Sequence, residues 1–402
     1  MADTNRVRPP RPVGAFVAVV VLAAIVYACS FIQFPQLNLI PDYGTWFQQC
    51  ADGNVLAKLA YMFSDWGDPT YQKTALGGIL MIVGCFIALY TGKNSKCTFG
   101  VAYGSGKLVP ILIAQIIASG GSVFLYSSLF QAEGAAFVPT FVAIPSFVPA
   151  LVLLYGGEWY KVLTAGVLGI FLGCPFAHFI NVQFVTPWGL PGAVAWVTPM
   201  IVCGFVSIEV CRNLPWMTRQ ASDPPAPEAA PAAPALGAPN APVMNNEWFV
   251  KRVLADFTEP TFYGNELAGL LFIVGGVVSV ILNPANPNYG AGNAYLVILS
   301  SQLLAAAIGI FLYWHRYFEL GFYNTFVPLA SLTPAFINLY GTDIHVVIVG
   351  AIVGAVFMPP VAEFVGRYTA KHFHGYIGSV VSMFVCCLVF PAIFNFVPGF
   401  GV

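Results

Sequence analysis

The chain has 402 residues, of which 58% are hydrophobic, 15% aromatic and only 8% charged, against about 25% charged in an ordinary soluble domain. Sixteen Lys and Arg against seventeen Asp and Glu leave a net charge of −1, which excludes the clustered basic footprint of a nucleic-acid-binding protein. With a mean hydropathy of +0.77, the apolar side chains exceed what one core absorbs, and the composition predicts an all-α polytopic membrane protein whose main partner is the lipid bilayer.

The first apolar run, Val13 to Phe34, follows Arg6, Arg8 and Arg11. It is longer than a signal-peptide core of about 7 to 15 residues and ends in no small-residue cleavage site, so a retained helix is expected. Residues 1–54 therefore read as an N-terminal tail, the first transmembrane helix and an external loop.

The rest of the chain is a duplication. Asp68-Pro69-Thr70-Tyr71 matches Glu259-Pro260-Thr261-Phe262 at an offset of 191, and Gln115 matches Gln302 at 187. At 185, Thr140-Phe141 matches Thr325-Phe326, Ser146 matches Ser331, Pro149-Ala150 matches Pro334-Ala335, and Tyr155-Gly156 matches Tyr340-Gly341. Nearly constant offsets over this length point to repeated units, here 55–216 and 246–402. Each holds five apolar segments of spanning length. In the first they run Thr74 to Gly92, Leu108 to Phe130, Phe137 to Tyr155, Val162 to Val182 and Pro191 to Cys211. In the second they run Gly264 to Leu282, Ala294 to Trp314, Phe322 to Tyr340, His345 to Glu363 and Gly375 to Phe396. With the first helix the total is about 11. Five is odd, so the second copy enters from the opposite side of the membrane, an inverted-topology repeat.

Loop charges agree with this topology. Arg6, Arg8, Arg11, Lys93, Lys96, Lys107, Lys161, Arg212, Arg219, Lys251, Arg252, His315, Arg316, Arg367 and Lys371 all fall on one side, while the predicted external loop 283–293 carries no charge. The protein is expected to be multi-pass in the cell (cytoplasmic or inner) membrane, N-terminus cytoplasmic and C-terminus external. Residues 217–245, rich in Pro and Ala, read as a disordered cytoplasmic linker. Before each copy an amphipathic stretch, Val55 to Trp66 and Trp248 to Phe257, reads as an interfacial helix.

The third segments carry the strongest local signal, Pro139-Thr140 to Pro145-Ser146 and Pro149 against Asn324-Thr325 to Pro328, Ser331 and Pro334. Proline frees carbonyls that only protein or a water-filled cavity can satisfy, which points to a site between the copies. The predicted substrate path is Gln115, Thr140, Ser146, Gln302, Asn324, Thr325 and Ser331; the competing reading is proline kinks, with hydroxyls and carboxamides that only tie helices together. His178 and Glu363 hold matching positions and are the predicted proton-coupling pair, although Arg367 offers Glu363 an ordinary ion pair. Asp65, Asp256, Asp68 and Glu259 precede the first helix of each copy and read as carboxylates complementing its N-terminus.

The nine cysteines lie mostly in apolar segments without a C-x-x-C pair and read as small helix residues. His372 and His374 are close in sequence but read as loop residues, so no metal and no cofactor are expected. Hydrolase, nucleotide-binding and metalloprotease motifs are absent, and the chain is not expected to be an enzyme.

Gly321-Phe-Tyr-Asn-Thr-Phe and Phe373-His-Gly-Tyr-Ile-Gly378, the latter followed by an apolar helix, resemble a family of uncharacterised bacterial polytopic membrane proteins with a duplicated region of about 180 residues. That resemblance implies a membrane protein and brings no site residue. The urea-channel family has a similar five-plus-five inverted layout, but its Asn-Pro-x-Thr-Gly-type signature is missing here. The expected function is a membrane transporter for a small polar solute, proton-coupled if His178 and Glu363 titrate. The alternatives are a passive channel and a non-transporting scaffold or assembly protein. The sequence leaves the oligomeric state open.

Overall fold

The computed structural model describes residues 9–32, 35, 37–92, 100–135, 137–219, 243–289 and 294–400. The expected Pro-Ala linker, apart from its ends, and Arg6, Arg8, Lys93, Lys96 and Cys97 lie outside the described residues. Among the described residues there is no strand. In chain order the helices are α1 (Val13–Cys29), α2 (Tyr43–Ala51), α3 (Val55–Ser64), α4 (Ala75–Thr91), α5 (Val101–Gly104) and α6 (Leu108–Ala132). Then come α7 (Phe147–Tyr155), α8 (Trp159–Leu168), α9 (Cys174–Ile180), α10 (Gly192–Asn213) and α11 (Asn246–Asp256). The remainder are α12 (Glu266–Leu282), α13 (Ala294–Leu312), α14 (Trp314–Leu320), α15 (Leu332–Tyr340), α16 (Ile344–Tyr368) and α17 (Tyr376–Phe394).

Six helical segments are long and apolar enough to cross a membrane: α6, the α8–α9 rod Trp159–Val185, α10, α13, α16 and α17. The apolar helices α1, α4 and α12 have 17 residues each, about 26 Å of helix, the lower limit of a span. Outward faces are apolar at helical spacing: Val17, Val21 and Ile25 on α1, and Ile344, Ile348 and Ile352 on α16, are all exposed. Side chains spaced four apart form one stripe, and a bare aliphatic stripe of this kind is a lipid-facing surface.

The third segments depart from expectation. Neither Phe137–Tyr155 nor Phe322–Tyr340 is a continuous helix: only the nine residues of α7 and of α15 are α-helical, preceded by a 3-10 turn at Thr140–Ala143 in the first and by turns in the second. Pro145 and Pro328 lack the amide that a continuing helix would use, and Pro149 and Pro334 fall in the first turn of α7 and α15, where a missing donor costs nothing. Each nine-residue helix ends on a glycine in the positive-φ region, Gly156 at +119° and Gly341 at +91°.

The short helices α3 and α11 also differ from the reading as interfacial helices. Lys58, Tyr61 and Met62 of α3, and Trp248, Phe249, Arg252 and Asp256 of α11, are buried in the protein. Each packs against the apolar helix that follows it, and the approach is close: a β-carbon at Gly78 would run into the Phe63 carbonyl, and one at Gly269 into the Leu254 carbonyl. Between them, α4 and α12 cross in close contact. A β-carbon at Gly84 would sit 2.7 Å from Ala268 Cα, and one at Gly275 2.8 Å from Gly77 Cα. As residue number rises along α4, the α12 partner falls, so the two helices run antiparallel.

Candidate functional site

Two ion clusters lie where α3 and α11 turn back into α4 and α12. In the first, Lys73 Nζ donates to Asp65 Oδ1 and to Asp68 Oδ2, each at 2.7 Å, and all three side chains are sealed from solvent. Thr140, in the turn before α7, donates to Asp65 Oδ2 at 2.6 Å, and Ser119 of α6 donates to the same oxygen. In the second, Arg252 donates through Nε and Nη2 to Asp256 Oδ1, and through Nη2 to Glu259 Oε1 at 2.6 Å. Thr325 donates to Asp256 Oδ2 at 2.8 Å and shares a hydrogen bond with Tyr317.

Asp65 and Asp256, and Asp68 and Glu259, are 191 apart; Thr140 and Thr325 are 185 apart. The cations do not correspond. Arg252 stands at the position of Tyr61, and Lys73 at the position of Gly264. Where the first cluster has Tyr61, its ring lies 4.1 Å from the Lys73 ammonium, a cation–π contact with the charge desolvated. Where the second has Gly264, φ is +49° and a β-carbon would strike the Glu259 carboxylate. One cation serves two carboxylates in both places, reached from opposite ends of the same turn. The turn itself is unusual: Tyr71 and Phe262, at matching positions, both have positive φ, +58° and +72°, an outlier conformation for bulky residues.

This corrects the capping assignment for Asp65, Asp68, Asp256 and Glu259. The caps of α4 and α12 are Thr74, which accepts from Gly77 N, and Asn265, which accepts from Leu267 N and Ala268 N. It also removes Arg252 from the set of loop charges, because its side chain is buried.

Gln115 and Gln302 are fully buried. Gln115 Nε2 donates to Ile144 O at 2.9 Å and Thr261 O at 3.3 Å, while its Oε1 accepts from Tyr263 Oη. Gln302 Nε2 donates to Leu329 O at 2.8 Å and Thr70 O at 2.6 Å, while its Oε1 accepts from Gln72 Nε2. Ile144 and Leu329 are the carbonyls freed by the broken third segments, and Thr261 and Thr70 lie in the opposite ion-cluster turn. Each carboxamide thus joins a break on its own side to the turn on the other. Ser146 and Ser331 donate to Val142 O and Val327 O, covering two more freed carbonyls. Asn324 is half-buried and accepts from Ser379 at 3.4 Å.

The structure brings Thr140 and Thr325 to the ion clusters and Gln115 and Gln302 to the breaks, while His178 and Glu363 lie apart from both clusters' hydrogen bonds. His178 contacts Glu133 at 2.9 Å and stacks on Phe130 with ring centroids 3.8 Å apart. Glu363 accepts from Tyr323 at 2.8 Å and pairs with Arg316 and Arg367. His372 meets Glu209 at 2.7 Å. His374 accepts from Tyr376 N through Nδ1 and is buried; burial pushes its imidazole down to about 4, since desolvation penalises the charged ring. Asp65, Asp68, Lys73, Arg252, Asp256 and Glu259 are the residues the sequence reading did not select. The available signal was an acidic pair recurring at one offset in a chain with very few charges.

The chain matches no protein-family model and no curated protein. Its residues and their geometry carry the functional argument.

Proposed function

We propose that the protein is an 11-helix transporter built from two inverted five-helix repeats after an N-terminal helix, moving a small polar solute between the repeats by alternating exposure of a central path. The observation that carries this is reciprocity. Gln115 reaches Thr261 O as Gln302 reaches Thr70 O, and Gly84 meets Ala268 as Gly275 meets Gly77. Every partner is the counterpart of the other's at an offset of 191 or 187. A two-fold axis between α4 and α12 produces such pairs, and antiparallel crossing of equivalent helices is what an axis in the membrane plane gives. In this reading α1, α4, α12 and the broken segments through α7 and α15 join the six longer spans.

The proposed path is Thr140, Ser146, Thr325 and Ser331 with the freed carbonyls, bounded by Gln115, Gln302 and Asn324. Hydroxyl and carbonyl oxygen with little fixed charge suit an uncharged or weakly ionic solute. Four of these, Thr140, Ser146, Thr325 and Ser331, sit at matched positions in the two breaks, and broken helices at the midplane are where secondary transporters bind. In the conformation described, all but Asn324 are buried, as in an occluded state between outward- and inward-open ones. The orientation stays N-inside and C-outside in the cell membrane, and no catalytic role is proposed. Glu363, held by two arginines and a tyrosine, is an anchor in this reading; His178 keeps its contact with Glu133.

A scaffold is the second reading, favoured by the completeness of the Gln115 and Gln302 hydrogen bonds. Purified protein in liposomes, screened against a panel of labelled small polar solutes, separates them. Transport predicts uptake above protein-free liposomes for at least one solute. Channel activity gives downhill flux without counterflow exchange. No flux across the panel, from protein that remains folded, overturns the proposal.

A further inference from the structure

We infer that the Asp65–Asp68–Lys73 cluster is a buried proton-binding site, with Asp68 Oδ1 the atom that takes the proton. Two carboxylates and one ammonium leave one negative charge in excess, and all three side chains are sealed. An uncompensated ion inside a membrane protein is so costly that it is neutralised or bound by a counter-ion. The geometry separates the two carboxylates. Asp65 accepts from Lys73 on one oxygen and from Ser119 and Thr140 on the other, four lone-pair directions used by three donors. Asp68 accepts from Lys73 through Oδ2, and among the described residues its buried Oδ1 has no partner in hydrogen-bonding geometry, with the Tyr289 hydroxyl the other donor that faces this carboxylate. The excess charge therefore belongs to Asp68, and the open oxygen is where a cation is missing.

The chemistry of the pocket selects a proton over a metal ion. The Lys73 ammonium already fills the space between the carboxylates at 2.7 Å from each, and three aromatic rings, Tyr61, Phe137 and Phe141, enclose it at 4.1, 4.9 and 5.9 Å. A sodium ion needs several oxygen ligands, and Asp68 Oδ1 offers one. The groups that face Asp68 are Asp65, Tyr71 and Lys73 on its own turn and Tyr289 after α12; Tyr61 and Tyr43 border the same cluster from α3 and α2. Tyr289 is half-buried, and Asn288 N beside it donates to Lys73 O at 3.4 Å. Asn288 and Tyr289 thus cover the site.

The second cluster sharpens the assignment. It has the same acid pair at matching positions but holds them with Arg252, a guanidinium that stays charged and binds both carboxylates through a rigid fork. Lys73 is a compact ammonium that meets one oxygen of each carboxylate as a point charge. The second cluster carries the same excess charge, but of the two clusters only the first leaves a described carboxylate oxygen buried without a partner, an asymmetry that suits coupling at one end of a path. That role in coupling rests on the transport reading; the protonation itself does not.

Infrared difference spectroscopy tests it on the full chain in lipid nanodiscs. At neutral pH the wild type should show a protonated-carboxyl C=O stretch that downshifts in D2O and disappears on raising the pH. Asp68→Asn should lose that band, and Glu363→Gln should keep it. Should Asp68→Asn fail to fold, the wild-type titration decides alone. A wild type without a protonated-carboxyl band at neutral pH overturns the assignment, as does a band that survives Asp68→Asn. A sodium-dependent rise in melting temperature, absent with choline and absent in Asp68→Asn, also overturns it by placing a metal cation there. The band present with no solute flux leaves the proton site standing and removes transport; flux without the band does the reverse.

Discussion

At the scale of single residues, positions 61 and 73 decide which side chain neutralises the acid pair. The first half of the chain uses tyrosine and lysine, and the matching positions 252 and 264 use arginine and glycine. Lys73→Gly alone leaves Asp65 and Asp68 without their cation, and breaking a buried pair on one side costs about 3–5 kcal/mol. Adding Tyr61→Arg rebuilds the arrangement of the second cluster. The double substitution should melt well above Lys73→Gly, short of wild type because the Tyr61 hydroxyl bonds to Tyr43, Val138 O and Val138 N are lost. Equal melting temperatures for the single and double variants would show that the two clusters are not interchangeable solutions. The acids themselves were visible in the sequence at one offset. Their role was not, because a sequence shows Asp65 preceding α4 without showing that the positive-φ residue Tyr71 folds the turn back so that Lys73 meets it. Reading the charges as caps also ignored that Thr74 and Asn265, the residues directly before each helix, are good caps already.

At the scale of elements, long apolar runs were legible nearly to the residue. The expected Leu108 to Phe130 is α6, Leu108–Ala132, and the expected Ala294 to Trp314 is α13, Ala294–Leu312. The broken segments were legible only as a proline pattern; hydropathy cannot distinguish a spanning helix from a turn followed by nine helical residues, since both are apolar throughout. The α4–α12 crossing was not selected, because Gly84 and Gly275 are two of 39 glycines and only the fold shows which ones admit a neighbouring backbone. The crossing depends on them. A leucine at Gly84 must push α12 away from Leu267 O and Ala268, and overpacking of this kind costs about 1–3 kcal/mol or more. Gly84→Leu and Gly275→Leu should lower the melting temperature by similar amounts, since each position meets the other helix in the same way. By contrast Gly366→Leu, where nothing lies within 4 Å of an added β-carbon, should leave it unchanged. A Gly84→Leu protein as stable as Gly366→Leu would mean that the helices are not in contact there.

For the whole molecule, the composition was enough to place the chain in lipid, and the offsets were enough to propose two copies. The ties between the copies were out of reach, since a hydrogen bond from Gln115 to Thr261 O spans 146 residues with no local signature. The claim that organises the rest is that the copies enter the membrane from opposite sides, and sided labelling tests it most directly. Trp159 and Ile344 are counterparts at an offset of 185, and both are exposed at the start of their helices. Each can be replaced by cysteine in a background with Cys29 and Cys97 changed to serine, the other cysteines being buried. A membrane-impermeant maleimide added to intact cells should label Ile344→Cys, and should reach Trp159→Cys only after the membrane is opened. Labelling of both from the same side would make the repeats parallel and contradict the account.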